Sequence, residues 1–326
     1  MNKEMDKKKI IMFVVITYII AWAIEIPVSI YYVKNPGMTG NNVFRIGMVI
    51  AMFVPVLVAF ILNKTPKGMG WKPKLKGNVK WIFWAILVPA VVVILGAVLF
   101  YCFYPDLFDS TASSYLRKQG EDLGVDMIGQ LESQGITPGL YAGISLIASV
   151  TYGGFINMFV AVGEEAGWRG FLYTELRKGF GRVSTWIIGG VIWAAFHFPV
   201  MIIGGYEYGT DYPGAPVLGL IVFSINCIAN GLLHEIIYDK TKCIWFPALL
   251  HGVINAVANV PFLFWNMNAE EKASRLMILG PGVNGIIGMI PMVVFAVIMA
   301  VIVMRGEKGK EEELPITIDK RTGQGY

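Results

Sequence analysis

Hydrophobic residues in this chain occur in long blocks that are separated by short polar segments. Each block is long enough for the roughly 20 residues that a membrane-spanning helix needs. The blocks fall at about residues 10–33, 43–63, 80–101, 141–178, 184–203, 216–238, 244–265 and 280–304. The pattern therefore predicts an all-α, polytopic membrane protein with about eight transmembrane helices.

The fourth block is too long for one simple crossing. Tyr152-Gly153-Gly154 interrupts it, and glycine weakens a helix while permitting close packing. We expect a kink or break there, after which the helix continues to the membrane interface near Arg177 and Lys178.

Lysine and arginine are concentrated at the first terminus, in alternate loops and after the last block. They are Lys3, Lys7, Lys8, Lys9, Lys64, Lys67, Lys72, Lys74, Lys76, Lys80, Arg177, Lys178, Arg182, Lys240, Lys242, Arg305, Lys308 and Lys310. The intervening loops are poorer in these residues, with 102–140 mainly acidic, 204–215 free of both and 266–279 mixed. The positive-inside rule therefore predicts that both termini are cytoplasmic and that 102–140 is an external loop.

Composition agrees with a membrane protein and narrows its class. The chain is 55% hydrophobic and 15% charged, whereas soluble domains are about 25% charged. Its mean hydropathy is +0.59. A net charge of +4 is explained by basic loops, so no nucleic-acid partner is expected. The three cysteines lack metal-ligand spacing, which excludes a disulfide framework and a thiolate zinc site.

A single transmembrane domain, residues 10–304, is predicted because no internal repeat is found. Residues 1–9 and 305–326 are expected to be cytoplasmic ends. The first block has no cleavage site and is interpreted as a retained helix. With no targeting or retention signal, the predicted location is a bacterial plasma membrane.

Glu164, Glu165 and Arg169 lie inside the fourth apolar block. Charged side chains at membrane depth cost roughly 2.5–3.5 kcal/mol each on insertion scales, so they indicate function. Glu165 and Arg169 are i,i+4 neighbours and can pair, which leaves Glu164 as the better catalytic candidate. The alternative is a buried ion-pair cluster that joins helices.

His197 and His251 lie in two other apolar blocks, and Asn255 shares a helical face with His251. An imidazole and a carboxamide on one face can donate to a developing oxyanion, bind a metal or bridge two helices. Counting about 1.5 Å per residue from the basic loops lets His197, His251 and Glu164 share one level of the membrane.

Other polar residues are expected to be structural. Glu25 is predicted to pair with Arg45, and His234-Glu235 are assigned to structure or to a pocket rim. His234 begins a zinc-like motif that lacks its second histidine. No Gly-x-Ser-x-Gly elbow and no Gly-x-Gly-Asp motif are present.

Three motifs in this order resemble the CAAX-protease and bacteriocin-processing family of intramembrane endopeptidases, which includes type II CAAX prenyl endopeptidases and many bacterial Abi proteins. EEAGWR (164–169) fits EExxxR, WAAFH (193–197) resembles FxxxH with Trp193 in place of Phe, and HGVIN (251–255) fits HxxxN. The resemblance covers roughly residues 140–260, the expected protease core.

The resemblance implies that Glu164 and His197 activate a water, and that His251 and Asn255 stabilise the oxyanion. Glu165, Arg169 and Trp193 would support them. The family has been described both as metal-independent glutamate proteases and as metalloproteases. We favour the glutamate version, with no required cofactor; a zinc-like ion would instead use Glu164, His197 and His251.

The predicted function is hydrolysis of membrane-associated or hydrophobic peptides near the cytoplasmic face, with membrane lipid and the peptide substrate as partners. The helices should then enclose a hydrophilic cavity that opens to the cytoplasm or sideways to lipid. The alternatives are a non-catalytic scaffold or bacteriocin self-immunity factor, and a transporter that uses Glu164 and the histidines as a proton relay.

Overall fold

The computed structural model describes the backbone of residues 4–312, and the side chains of these residues except 270 and 308–312. The described residues are helical, with one isolated antiparallel bridge between Phe108 and Trp265. The helices are α1 (Lys7–Lys34), α2 (Met38–Met52), α3 (Val54–Asn63), α4 (Val79–Phe103), α5 (Ser113–Leu123), α6 (Met127–Ser133), α7 (Pro138–Ala148), α8 (Gly154–Gly167), α9 (Thr174–Leu176), α10 (Arg182–Phe196), α11 (Phe198–Gly204), α12 (Val217–Thr241), α13 (Trp245–Val257), α14 (Glu270–Leu276) and α15 (Ile290–Glu312).

The predicted all-α membrane fold is confirmed. Among the described residues, seven helical stretches are long and apolar enough to cross a membrane, and the count is eight if the bent pair α10 and α11 forms one span. The stretch Pro138–Leu176 joins α7, α8 and α9 through two short π-helical turns. The first turn, Ser149–Gly153, contains Thr151 in a non-helical conformation, two residues from the kink expected at Gly153.

The eighth block is shorter than the sequence indicated. Helix α15 begins at Ile290, and residues 277–289 are non-helical although they belong partly to an apolar run. Gly280, Pro281, Gly282, Gly285 and Gly288 break the helical pattern. Backbone hydrogen bonds link residues 286–288 to 278–280, at 2.9–3.1 Å, so this buried segment satisfies its own amides. The expected tail also differs, because α15 runs to Glu312; residues 313–326 lie outside the described residues.

Consecutive spans run antiparallel, which gives the bundle two faces. The N-terminal face carries residues 4–6, 64–78, 177–181 and 242–244, and the distal face carries residues 35–37, 104–137, 205–216 and 265–289. Loops on the N-terminal face contact each other, since Ile244 N donates to Gly70 O at 2.9 Å. On the distal face Asp109 N donates to Phe264 O at 2.8 Å. Nothing in these contacts assigns either face to the cytoplasm.

Glycine lets α8 lie at backbone distance from two neighbours. A Cβ on Gly167 would approach Pro55 Cβ of α3 to 2.3 Å, and one on Gly252 of α13 would approach Met158 N to 2.5 Å. Larger side chains would force these helices apart. The two glycines therefore fix α8, which carries the acidic pair, against α3 and α13.

The predicted pair between Glu25 and Arg45 is wrong. Arg45 is exposed, whereas Glu25 is fully buried on the inner side of α1 and neither of its carboxylate oxygens has a hydrogen-bond partner among the described residues. Glu25 instead lies within electrostatic range of Glu164. The prediction relied on the similar membrane depth of Glu25 and Arg45, which does not show that their side chains point in different directions.

Candidate active site

The acidic pair lies at the end of α8, immediately before the second π-helical turn, Trp168–Tyr173. Glu164 is 1% exposed and Glu165 is fully buried. Single π-helical turns are rare and are frequent at functional sites. Here the turn begins with Trp168 and Arg169, three and four residues after Glu165 in the sequence.

Glu164 is held by two indole groups. The Nε1 of Trp168 donates to Glu164 Oε2 at 3.0 Å, and the Nε1 of Trp193 donates to the same oxygen at 2.6 Å. Trp193 comes from α10, so this contact ties two spans together. Two N–H donors at one oxygen stabilise the charged carboxylate and fix its orientation.

Glu165 is the centre of a second cluster. Its Oε1 accepts from Arg169 NH1 at 2.7 Å, which is the predicted i,i+4 pair, and it lies 2.8 Å from His251 Nδ1. His234 Nε2 lies 3.9 Å from the same oxygen. The Arg169 guanidinium also stacks on the Trp193 ring, with 4.3 Å from Cζ to the ring centroid. The two acids therefore have separate partners and are joined through Trp193.

His197 stands at the break between α10 and α11, where the axis bends by 41°. Its Nδ1 is 3.1 Å from the Trp193 carbonyl oxygen. Since a carbonyl only accepts, Nδ1 carries the proton and the neutral ring presents the lone pair of Nε2. This arrangement suits a proton acceptor.

A cavity of about 600 Å³ joins most of the predicted site residues. Trp193, His197, His251 and Asn255 line it, and Asn255 is exposed to it. Glu164, Glu165 and Arg169 do not line it and lie behind its wall. The histidines and the Asn255 amide are thus open to the cavity, whereas the two carboxylates lie behind them and do not contact the cavity directly.

The cavity opens on the distal face. Its lining includes Tyr32, Tyr115, Glu207, Met277 and Asn284, each of which belongs to that end of the bundle. A cavity open to the cytoplasm or sideways to lipid was expected, together with a cytoplasmic N-terminus. The first of these openings is incompatible with a cytoplasmic N-terminus, because the cavity mouth and the N-terminus belong to opposite faces.

A row of polar side chains on α12, which sequence reasoning missed, leads from the mouth to the acids. Asn226, Asn230 and His234 are spaced four residues apart, and Asn230 Nδ2 donates to Asn226 Oδ1 at 2.9 Å. His234 Nδ1 lies 2.6 Å from the Asn230 carbonyl oxygen. The signal was present as i,i+4 polar spacing in an apolar helix. His234 had been assigned to the helix end with Glu235.

The row continues across the cavity to the loop 205–216. Asn226 donates to Asn284 Oδ1, and Asn284 donates to the Glu207 carboxylate. Burial raises the pKa of Glu207, although the hydrogen bonds from Asn284 and Tyr206 oppose this. Asn284, in the segment 277–289, therefore links Asn226 of α12 to Glu207 at the cavity mouth.

Glu165, His234 and His251 could hold a metal ion, because one ligand atom from each lies within 4.8 Å of the others. The set inferred from the sequence, Glu164, His197 and His251, shares only His251 with it. The donor types suit zinc, and His234 already donates its Nδ1–H to a carbonyl, as metal-binding histidines do. Glu165 Oε2 and His234 Nε2 are buried without hydrogen-bond partners among the described residues, which also suits a metal. The cationic Arg169, which donates to Glu165 Oε1, opposes it.

The fold and the site define a polytopic helical membrane protein with a buried acid–histidine centre at the end of a polar cavity. Residues 146–257 match the Type II CAAX prenyl endopeptidase Rce1-like family. CAAX prenyl protease 2 of Methanococcus maripaludis is 31% identical over 55 residues, which is 17% of this chain and 20% of the relative. Through this segment the chain is similar to proteins of the CAAX protease family.

The match agrees with the core expected at about residues 140–260 and contains all three motifs. It spans about a fifth of the length of the curated relative. A membrane protease of the CAAX type is therefore supported at the level of the family. Bacteriocin processing, the other activity associated with the resemblance, stays a prediction.

Proposed function

We propose that this protein is an intramembrane endopeptidase that hydrolyses peptide bonds in membrane-associated or hydrophobic peptides. The observation that carries the proposal is the polar cavity that ends at His197, His251 and Asn255, with Glu164 and Glu165 directly behind it. A scaffold has no need for such a cavity. Its partners are then membrane lipid and the peptide substrate, in a bacterial plasma membrane.

In the proposed reaction Glu164 and His197 remove a proton from the attacking water. His197 presents an unprotonated Nε2 to the cavity, and Glu164 lies within electrostatic range of it. The indole donors of Trp168 and Trp193 hold the Glu164 carboxyl group in place. The pair thus combines His197, a base that is open to the cavity, with Glu164, a buried carboxylate that stabilises the proton that His197 takes up.

The proposed oxyanion donors are the Asn255 amide and His251. Donation from His251 Nε2 requires a proton on both ring nitrogens, because Nδ1 already donates to Glu165. Glu165 Oε1 lies 2.8 Å from His251 Nδ1, and Arg169 NH1 contacts the same oxygen at 2.7 Å. Glu165 is then the counter-ion that allows His251 to donate.

The same contact supports a second assignment of roles. A neutral His251 oriented by Glu165 presents Nε2 as an acceptor, in the manner of a base held by a carboxylate. His251 would then activate the water, and Asn255 alone would stabilise the oxyanion. In the first assignment Glu164 assists the base that activates the water, and in the second Glu165 does so. The two assignments therefore differ in which glutamate variant should lose more activity.

The test compares membrane peptides from cells that express wild type, Glu164→Gln or Glu165→Gln at equal abundance. Loss of a general base lowers rates about 10²–10⁴-fold, so peptides whose cleavage disappears in Glu164→Gln identify the substrates. A larger loss in Glu165→Gln would support the second assignment. Glu175→Gln, at the N-terminal face, serves as the matched control because Glu175 pairs with Lys178 away from the cavity. Unchanged profiles with a retained phenotype in both site variants would contradict the protease and support a scaffold.

We propose that no metal is required, since the cationic guanidinium of Arg169 pairs with Glu165 and repels a cation bound there. A zinc-dependent version would use Glu165, His234 and His251. Hydrolysis by purified protein is expected to continue in a zinc chelator. Loss of activity that added zinc restores would overturn the metal-independent proposal.

A further inference from the structure

The cavity connects the candidate site to the distal face and is closed toward the N-terminal face. Its mouth is formed by distal loops, including Tyr115, Glu207 and Asn284. Below His251 the helices are packed, and the side chains there are buried. They are Tyr173, Leu233, Ile237, Phe246, Ala248 and Leu250. A substrate in this conformation therefore enters from the distal side.

The two faces differ strongly in charge. The described basic residues of the N-terminal face are Lys7, Lys8, Lys9, Lys64, Lys67, Lys72, Lys74, Lys76, Lys80, Arg177, Lys178, Arg182, Lys240, Lys242 and Arg305. Those of the distal end are Lys34, Arg45, Arg117, Lys118, Lys272 and Arg275. Three of the latter form ion pairs with neighbouring acids, Lys118 with Asp122, Lys272 with Asp106 and Arg275 with Glu271. The positive-inside rule assigns the N-terminal face to the cytoplasm, and hence the cavity mouth to the opposite side.

The cavity lining indicates what enters. It contains five asparagines and three tyrosines whose groups can pair with backbone N–H and C=O groups. They are Asn226, Asn230, Asn255, Asn259, Asn284, Tyr32, Tyr115 and Tyr206. None of the described lining residues is Lys or Arg, and Glu207 is acidic. Such a lining suits an extended polypeptide and disfavours an anionic lipid headgroup.

We propose that the site is loaded from the extracytoplasmic side by a peptide segment that is exposed there. This inference rests on the proposed function and narrows its substrates to exported peptides and to outward-facing segments of membrane proteins. Prenylated C-terminal C-a-a-X sequences do not reach the mouth in this orientation, because they belong to proteins anchored at the cytoplasmic side. The cut bond would lie outside the cytoplasm, contrary to the cytoplasmic location expected from the sequence.

Thiol labelling in intact cells tests the orientation and the opening together. Cys102, Cys227 and Cys243 are replaced by alanine, and single cysteines are introduced as Ser133→Cys, Asn259→Cys, Lys74→Cys and Ala248→Cys. Ser133 is exposed on the distal face, Asn259 faces the cavity, Lys74 is exposed on the N-terminal face and Ala248 is packed beneath the site. The probe is a membrane-impermeant maleimide added before or after cell lysis.

Ser133→Cys and Asn259→Cys are expected to react in intact cells, Lys74→Cys only after lysis, and Ala248→Cys in neither case. Reaction of Lys74→Cys in intact cells would reverse the orientation and overturn the proposal. Failure of Asn259→Cys to react from outside, while Ser133→Cys reacts, would also overturn it because the mouth would be closed.

A second measurement separates this proposal from the proposed function. A further single cysteine, Ala258→Cys, also lines the cavity but replaces none of the groups proposed to bind peptide. Attachment of the maleimide to Ala258→Cys from outside is expected to abolish peptide cleavage that the unlabelled variant performs. Continued cleavage by the labelled protein would overturn the loading route while leaving the protease intact. Cleavage that survives Glu164→Gln would instead contradict the protease, and the labelling would still report which side the cavity faces.

Discussion

Trp193 links the two carboxylates of the site. Its indole N–H donates to Glu164, and its ring contacts the Arg169 guanidinium that pairs with Glu165. The ring also meets His251 edge-on at 5.3 Å between centroids. The motif that this region resembles has phenylalanine here, which could pack in the same place but could not donate.

Replacing Trp193 with phenylalanine is therefore expected to impair catalysis more than folding. A hydrogen bond to a charged group contributes about 1.5–3 kcal/mol, so kcat should fall by about tenfold or more while KM changes little. Peptide hydrolysis and thermal unfolding of purified protein measure the two effects. Trp186→Phe, which removes an indole donor from Glu235 outside the site, is the control. Equal rates for Trp193→Phe and wild type would show that the donor is not needed.

Glu25 is a buried acid without a hydrogen-bond partner among the described residues. Burial of an unpaired polar group costs about 1–3 kcal/mol in protein mutational data, so Glu25→Met is expected to raise the unfolding midpoint. Glu235→Met is the matched control and should lower it, because Glu235 accepts from Arg182 and Trp186. Thermal unfolding in detergent measures both. A lower midpoint for Glu25→Met would mean that this carboxyl is stabilised in the folded protein.

Spacing in the sequence predicted most of the residues that the structure brings together at the candidate site, but not the contacts between them. The pattern of Glu165 and Arg169 predicted an ion pair that is present at 2.7 Å. It did not show that His251 contacts Glu165, since that depends on how two distant helices are rotated. His234 was assigned to structure or to a pocket rim, and it does line the cavity. Its alignment on α12 with Asn226 and Asn230 was not recognised.

At the scale of elements, the structure differs from the sequence prediction mainly where helices are broken. The π-helical turn Trp168–Tyr173 lies inside the fourth hydrophobic block, where periodicity alone predicts a regular helix. The segment 277–289 is apolar enough to be taken as a span, yet its glycines allow a buried loop against α4. A Cβ on Gly96 would approach Gly288 O to 2.1 Å. Whether an apolar segment forms a regular helix here depends on tertiary packing, which the hydrophobicity of the sequence does not show.

The start of α5 in the distal segment depends on Asp109. Its carboxylate accepts from Ser113 N at 3.1 Å, Ser114 N at 2.8 Å and Thr111 N at 2.9 Å. Partial burial opposes ionisation, but the hydrogen bonds from Thr111 and Ser114 lower the pKa of Asp109 to about 2. A charged side chain at this position satisfies free amides of the first helical turn.

We expect Asp109→Asn to loosen residues 108–137 and to cost about 1 kcal/mol, as the loss of a helix cap does. Because the folded-state pKa lies below that of the unfolded chain, this contribution is complete above about pH 4 and is lost as the pH falls toward 2. Limited proteolysis from the distal side should cut the variant faster at pH 7. Exposed Glu121→Gln is the control, and equal cutting rates for the two variants would contradict the capping role.

At the scale of the whole molecule, Arg182 joins three spans at the N-terminal face. Its guanidinium pairs with Glu235 at 3.1 Å and Asp239 at 3.0 Å on α12, and with Glu307 at 2.6 Å on α15. Arg182 itself begins α10. The cluster closes the end of the bundle that lies opposite the cavity mouth.

Arg182→Ala is expected to lower the free energy of unfolding by about 3–5 kcal/mol, because it leaves buried Glu235 without its cation. Lys242→Ala removes an exposed partner of the same Asp239 and should cost about 1 kcal/mol or less. Denaturation of both variants in one detergent gives the comparison. Similar losses would show that burial does not distinguish the two ion pairs.

The depth of the cavity also shapes the electric field across the membrane. A well in contact with solvent transfers the membrane potential to the packed layer beneath it, which is about 9 Å thick from His251 to the start of α13. The hydrocarbon core is about 30 Å thick, so the field in this layer is about threefold stronger. One elementary charge crossing the full potential gains or loses about 2.3 kcal/mol per 100 mV. A proton that reaches His251 through the mouth crosses little of that drop, so we expect the proposed hydrolysis to continue unchanged when the membrane is de-energised.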